Sequence, residues 1–231
     1  MASRPTSSRA NGGGYTVRLT HAIPMKHKAP ARPRVDKIDC DFVEFDLTTN
    51  KTLPRKSTRF VQSVYPIPQK LFDELDSYRS TFRTTYGESM YVCGPVYAST
   101  TGRSPDFQCL VSGKQFISED LNDSIQREFC EEIGVGFTDS PVHVGIDTYK
   151  GKRSAYGYIH AGNAIVSGTD PHFVDGTDNF RQRLNYALVG TRDDLIRLFR
   201  AGQTLKLSEN PEGGIIGVAI VRFSDVRRIV N

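Results

Sequence analysis

Three glutamates, Glu128, Glu131 and Glu132, follow one another at i, i+3 and i+4. On an α-helix this spacing puts them on one face. Like charges so placed oppose helix formation, and any loss of water raises the cost. A divalent cation would remove both penalties, and a hard ion such as Mg²⁺ prefers carboxylate oxygen. The surrounding residues read as that helix. Leu121, Ile125, Phe129 and Ile133 recur at every fourth position and make an apolar stripe. Asp120 suits an N-cap, Asp120 and Asp123 suit the positive helix end, and Gly134 suits a left-handed C-terminal cap. At about 100° per residue, Glu128 and Glu132 point near Leu121, so the carboxylates are expected at the margin of a core. A solvated acidic face is the plain alternative for a bare Glu-x-x-Glu-Glu.

The wider pattern is more specific. Gly113 is followed after five residues by Glu119 and after seven more by Arg127-Glu128-Phe129-Cys130-Glu131-Glu132-Ile133-Gly134-Val135. Seven identities are fixed over 23 residues, with Phe129 and Val135 apolar. This stretch resembles the signature of the Nudix hydrolases, G-x5-E-x7-R-E-U-x-E-E-x-G-U with U apolar. The resemblance is strong over 113–135, extends plausibly over about 89–231 and is absent over 1–88. Where family members often carry Pro-Gly-Gly, this chain has Val111, Ser112 and Gly113, and the Glu and Gly that often precede the first motif glutamate are replaced by Phe116 and Ser118.

The resemblance implies an α/β/α sandwich with a mixed sheet, and a metal-dependent hydrolase. Its substrate would be a nucleoside diphosphate linked to another moiety, cut at the phosphoanhydride bond with Mg²⁺ or Mn²⁺. By the same match Glu128, Glu131 and Glu132 would bind metal, and Glu128 or a later acid would be the general base. Glu119 and Arg127 would form a pair that ties the motif loop, from Gly113, to the helix. A further catalytic acid is sought downstream. Glu212 is preferred on position, ahead of Glu209, Asp175 and Asp178; His160 and His172 read as structural or exposed. No proline stands near Gly151 to mark an ADP-ribose enzyme, and Tyr149 is a weak counterpart of the tyrosine of dinucleoside-polyphosphate enzymes. Two other functions stand beside a small-molecule hydrolase: removal of mRNA caps, and a catalytically silent fold that binds RNA or protein. Silent members lose motif glutamates, and this chain keeps them.

The flanking elements must position this helix. Residues 36–47 alternate as a strand, 60–65 suggest another, and a helix from Pro68 to about Tyr86 ends at Gly87. Strands are expected over 89–99, 107–111, 142–148, 156–166, 184–190 and 215–223, with helices over 192–200 and, capped by Ser224, to Val230. Residues 167–183 read as a long loop of the kind that is often functional. Three parts result: a basic arm over 1–35, an extension over 36–88 that packs on the core, and the hydrolase domain over 89–231. The extension could build a dimer interface or shape the substrate cleft.

Composition bounds the rest. The 231 residues are 38% hydrophobic and 24% charged, enough for one sizeable core. Residues 1–35 hold seven cations and no acid, so the remainder bears a net charge of −3 against +4 for the whole chain. The arm, rich in Gly and Pro, is expected to be disordered and either contacts RNA, DNA or another acidic partner or serves only as a solubilising leader. The four cysteines show neither a C-x-x-C pair nor zinc spacing and read as reduced thiols. No apolar run approaches a membrane span, and no secretory signal opens the chain. The expectation is an intracellular, cytoplasmic protein.

Overall fold

The computed structural model describes residues 37–62, 67–98, 105–149, 151–166, 179–205, 207 and 214–226, without the side chains of 37, 56–62 and 149. Among these, the chain runs β1 (Lys37–Asp46), β2 (Lys51–Thr52), β3 (Lys56–Gln62), α1 (Gln69–Tyr86), β4 (Tyr91–Tyr97), β5 (Asp106–Phe107), β6 (Val111–Phe116) and α2 (Leu121–Ile133). It continues through β7 (Val135–Phe137), β8 (Val142–Tyr149), β9 (Lys152–His160), β10 (Ala164–Val166), β11 (Phe180–Gly190), α3 (Arg192–Leu198) and β12 (Ile215–Arg222).

Ten strands form one mixed sheet; β7 and β10 pair separately. Pairing is antiparallel except between β9 and β11 and between β3 and β5. Period-2 alternation divides the apolar residues between two cores. On one face Val43, Cys93, Leu184, Leu188 and Val218 pack with Ile125, Phe129 and Ile133 of α2 and Leu195 of α3. On the other, Phe42, Val92, Ala187, Val189 and Ala219 pack with Leu71, Leu75 and Phe82 of α1. The molecule is thus a mixed α/β structure with helices on both faces of a large sheet. β1 hydrogen-bonds to β12, so residues 37–62 and the chain beyond residue 89 share that sheet.

The site depends on a fork beside β11. Leu188 to Gly190 pair with Cys93 to Tyr91 of β4. Beyond that, β4 leaves β11 and stays with β12 and β5. β6 takes the vacated position, from Tyr186 opposite Val111 to Phe180 opposite Phe116. The chain enters the fork by passing over β4. Gln108 donates its N–H to the Pro95 carbonyl at 3.0 Å, and a Cβ on Gly94 would lie 1.9 Å from the Gln108 oxygen.

Several boundaries differ from the sequence reading. The strand read over 107–111 is two short strands, β5 and β6, with a link between them. Cys109 and Leu110 face the α1 core while Val111 faces the α2 core, so one apolar run serves two environments and hides the break. The stretch 50–59, where the sequence reading places no strand, contains β2 and the start of β3. The strand read over 156–166 stops at His160, where a short 3₁₀ turn, Ala161–Asn163, leads to β10. β11 begins at Phe180 rather than 184. Phe223–Asp225 is a 3₁₀ turn that includes Ser224; the closing helix read through Val230 falls on residues 227–231, outside the described part. Residues 1–35 and 167–178 lie outside it as well.

Candidate functional site

α2 starts where Asp120 accepts a hydrogen bond from the Asn122 N–H at 2.7 Å, and it stops at Gly134, whose φ of 70° is left-handed. Ile125, Phe129 and Ile133 are buried; each contributes about 1.5–3 kcal/mol of burial. That seam fixes the rotation of the helix, and the rotation carries its charged residues to β6. β6 pairs only with β11 among the described strands, so its other edge offers main-chain groups without a strand partner. The side chains of α2 fill that edge. Lys114 donates its N–H to Glu128 Oε1 at 2.9 Å, and Ser112 donates its N–H to Glu132 Oε2 at 3.3 Å. Lys114 also accepts at its carbonyl from Arg127 Nη2 at 2.7 Å.

Gly113 makes this approach possible. A Cβ there would stand 1.8–2.0 Å from the Glu128 carboxyl atoms, so a larger residue would expel Glu128 from the edge. The position therefore needs glycine for space.

Arg127 is the centre of the arrangement and is only 8% exposed. Its Nε donates to Glu119 Oε1 at 2.7 Å and its Nη2 to Glu119 Oε2 at 3.0 Å, a bidentate pair. Its Nη1 donates to Glu128 at 2.9 Å and to Glu131 at 3.2 Å. The guanidinium also lies 5.0 Å from the centre of the Phe116 ring. Glu119 further accepts from the Phe116 N–H at 3.1 Å and the Ser124 hydroxyl at 3.0 Å. Loop, helix and strand are thereby joined through one cation. Sequence reasoning missed Ser124, Phe116 and the main chain of Lys114. Ser124 leaves one trace, as a small polar residue at a fully buried helix position.

The charges shift accordingly. Burial pushes Glu128 up to about 7; Arg127 and the Lys114 N–H oppose the rise, and Glu131 adds to it. Burial also works against the charge of Glu119, but hydrogen bonds from Arg127, Phe116 and Ser124 outweigh it and hold Glu119 below the usual range. Burial disfavours the Arg127 charge too, and its three carboxylates raise its pKa nonetheless.

Among the described residues, no group of three or more His, Cys, Asp or Glu side chains converges as a ready-made metal cage. Arg127 holds Glu128 and Glu131 in its own hydrogen bonds instead. The donor chemistry still suits a hard cation: three carboxylates share one helix end, and added positive charge would favour the ionised form of Glu128 that burial opposes.

The remaining candidates lie elsewhere. Glu209, Glu212, Asp175, Asp178 and His172 fall outside the described residues, as does the Tyr149 side chain. His160 accepts at Nδ1 from the Gly162 N–H at 3.2 Å. Its ring stacks on Tyr86 of α1 at 5.2 Å, and burial lowers its pKa; this is a structural placement. All four cysteines are free and buried. Among the described residues no helix is long and apolar enough to cross a membrane. No family model, curated protein or solved structure matches the chain.

Proposed function

We propose that this chain is a Nudix-type pyrophosphohydrolase built on an α/β/α sandwich. Its reaction is hydrolysis of a phosphoanhydride bond in a nucleoside diphosphate linked to another moiety. The observation that carries this reading is the β6 edge, where the signature residues Gly113, Glu119, Arg127 and Glu128 interlock and leave Glu131 and Glu132 alongside. A bare acidic helix face would not need a glycine opposite Glu128 or a bidentate Glu119–Arg127 pair.

Glu128, Glu131 and Glu132 would hold Mg²⁺ or Mn²⁺. Once bound, the ion supplies positive charge against the diphosphate and acidifies water. Arg127 fixes the direction of the Glu128 and Glu131 carboxyls, and Glu119 fixes Arg127. Glu128 would also be the first candidate for the general base that takes a proton from the attacking water. Glu212, in the segment before β12, is the second candidate for that step.

A panel of ADP-ribose, dinucleoside polyphosphates, nucleotide sugars, NADH and capped RNA, each with Mg²⁺ and Mn²⁺, tests the proposal. The expected product is a nucleoside phosphate formed only with metal. Absence of turnover across the panel would leave the silent binding module as the better reading. Cap removal is the second enzymatic reading; exposed Lys114 on β6, with Arg183 and Lys152 on the neighbouring β11 and β9, favours it, and the capped RNA in the panel separates it from the first.

A further inference from the structure

α1 covers only part of its face of the sheet. Where it packs, that face is apolar and includes Val92, Ala187 and Ala219. Toward the start of β9 and β11 the same face turns polar and basic. Lys114, Arg183 and Ser154 stand side by side in register across β6, β11 and β9. Lys152 lies two residues before Ser154 and so projects from the same side of β9. Lys114 and Lys152 both bring their ammonium groups to the Phe180 ring, 5.4 and 5.0 Å from its centre.

Lys114, Lys152 and Arg183 are exposed, and none pairs with a described carboxylate. The next residue in their row, Asp147 opposite Ser154, is engaged by Lys70 and by the Tyr156 hydroxyl. Lys114 and Lys152 thus flank one half-buried aromatic ring, with Arg183 next to Lys114 in the row and no counter-charge on the three among the described residues. The patch adjoins the candidate site, because the main chain of Lys114 holds both Glu128 and Arg127.

We propose that this face docks a single-stranded polynucleotide. Lys114, Lys152 and Arg183 would meet its phosphates, and Phe180 would give a base a ring to stack on. The ring decides between polyanions. A base gains from an aromatic surface flanked by cations, whereas an acidic peptide needs only the cations. An open sheet face suits splayed bases rather than a duplex. Binding of this kind stands independently of turnover.

The test is fluorescence anisotropy of a labelled oligouridylate of roughly twelve nucleotides, within the span of one single-strand site. The full chain is titrated in EDTA over a salt series. The double variant Lys152→Ala/Arg183→Ala should bind on the order of tenfold more weakly at about 0.1 M salt, with a log–log salt slope shallower by about 1.4, or roughly 0.7 for each phosphate no longer neutralised. Phe180→Leu should weaken binding several-fold and leave the slope unchanged. Both variants should melt like the parent chain. Residues 1–35 are present throughout, so their contribution cancels. A DNA oligomer of matching sequence that binds equally points to phosphate and base alone, and tighter RNA binding adds the 2′-hydroxyl; both outcomes support the proposal. Parent-like binding by the double variant would overturn it. So would an unaffected Phe180→Leu variant together with displacement of the probe by polyglutamate at equal charge, which would assign the face to an acidic polypeptide.

Discussion

Two buried carboxylate clusters join helix to sheet in this molecule, and their charges are balanced in opposite ways. Asp41 of β1, 6% exposed, receives Nε and Nη2 of Arg192 at 2.6 and 2.7 Å. Arg55 adds a contact at 3.5 Å. One carboxylate faces two cations, and both cations keep access to water, at 39% and 40% side-chain exposure. At the β6 edge one buried guanidinium faces three carboxylates, with Glu132 beside them on the Ser112 N–H. The first cluster is closed and pins α3 to β1. The second sets one buried guanidinium against three carboxylates, and burial there works against the charge of Glu128.

The largest effect should come from the carboxylates of the second cluster. Glu131→Gln and Glu132→Gln are expected to nearly abolish turnover, beyond the roughly 10–100-fold losses typical of residues that only position metal ligands. Circular dichroism should show an intact fold. Parent-like rates in both variants would sink the metal assignment. No comparable loss should follow any change at Asp41.

Arg127→Ala should reduce kcat by less than loss of Glu131 does, within about 10–100-fold, because Arg127 orients the carboxylates. It should also destabilise the fold by about 3 kcal/mol, since it strands buried charge. A clear rise in melting temperature with intact activity would contradict the Glu119–Arg127 tie.

Asp41→Asn sharpens the contrast from the other side. The expected result is a loss of about 2 kcal/mol in urea unfolding, from charge-assisted hydrogen bonds, with kcat and KM unchanged. Impaired kcat at full stability would mean that the Asp41 cluster shapes the site.

The smallest effect concerns acid. Glu119 is held below its ordinary value, so its folded form binds fewer protons than the unfolded chain. Its contribution to stability is present above the unfolded pKa of about 4.3 and is lost as pH falls through the folded value. Melting temperatures between pH 6 and pH 3 should fall less steeply in Glu119→Gln than in the parent. Identical acid limbs would mean that Glu119 adds nothing to the pH dependence of stability.

Local rules make part of this legible in the sequence. A four-residue apolar recurrence, an Asp cap and a terminal glycine define α2 to within a turn, because each acts over a few residues. α1 with its Gly87 stop and the alternating β1 are legible for the same reason. The strand break at 108–110 is not, because the apolar run through Val111 passes from one core to the other without a period. Phe180 reads as loop because a bulge after it interrupts the alternation that Leu184 continues.

The sequence alone therefore determined a helix with three carboxylates on one face, bordered by an arginine and two glycines at fixed distances. Tertiary structure decided what they meet. That Glu128 and Glu132 lie on an open strand edge depends on β4 leaving β11 and β6 entering, a pairing set by both cores together. Strand register is specified by which face is buried, and that is known only once both helices are seated. The placing of Lys114 and Lys152 at Phe180, with Arg183 beside Lys114, follows from the same register. It brings together residues from three distant stretches of chain, and no spacing rule along the sequence records it.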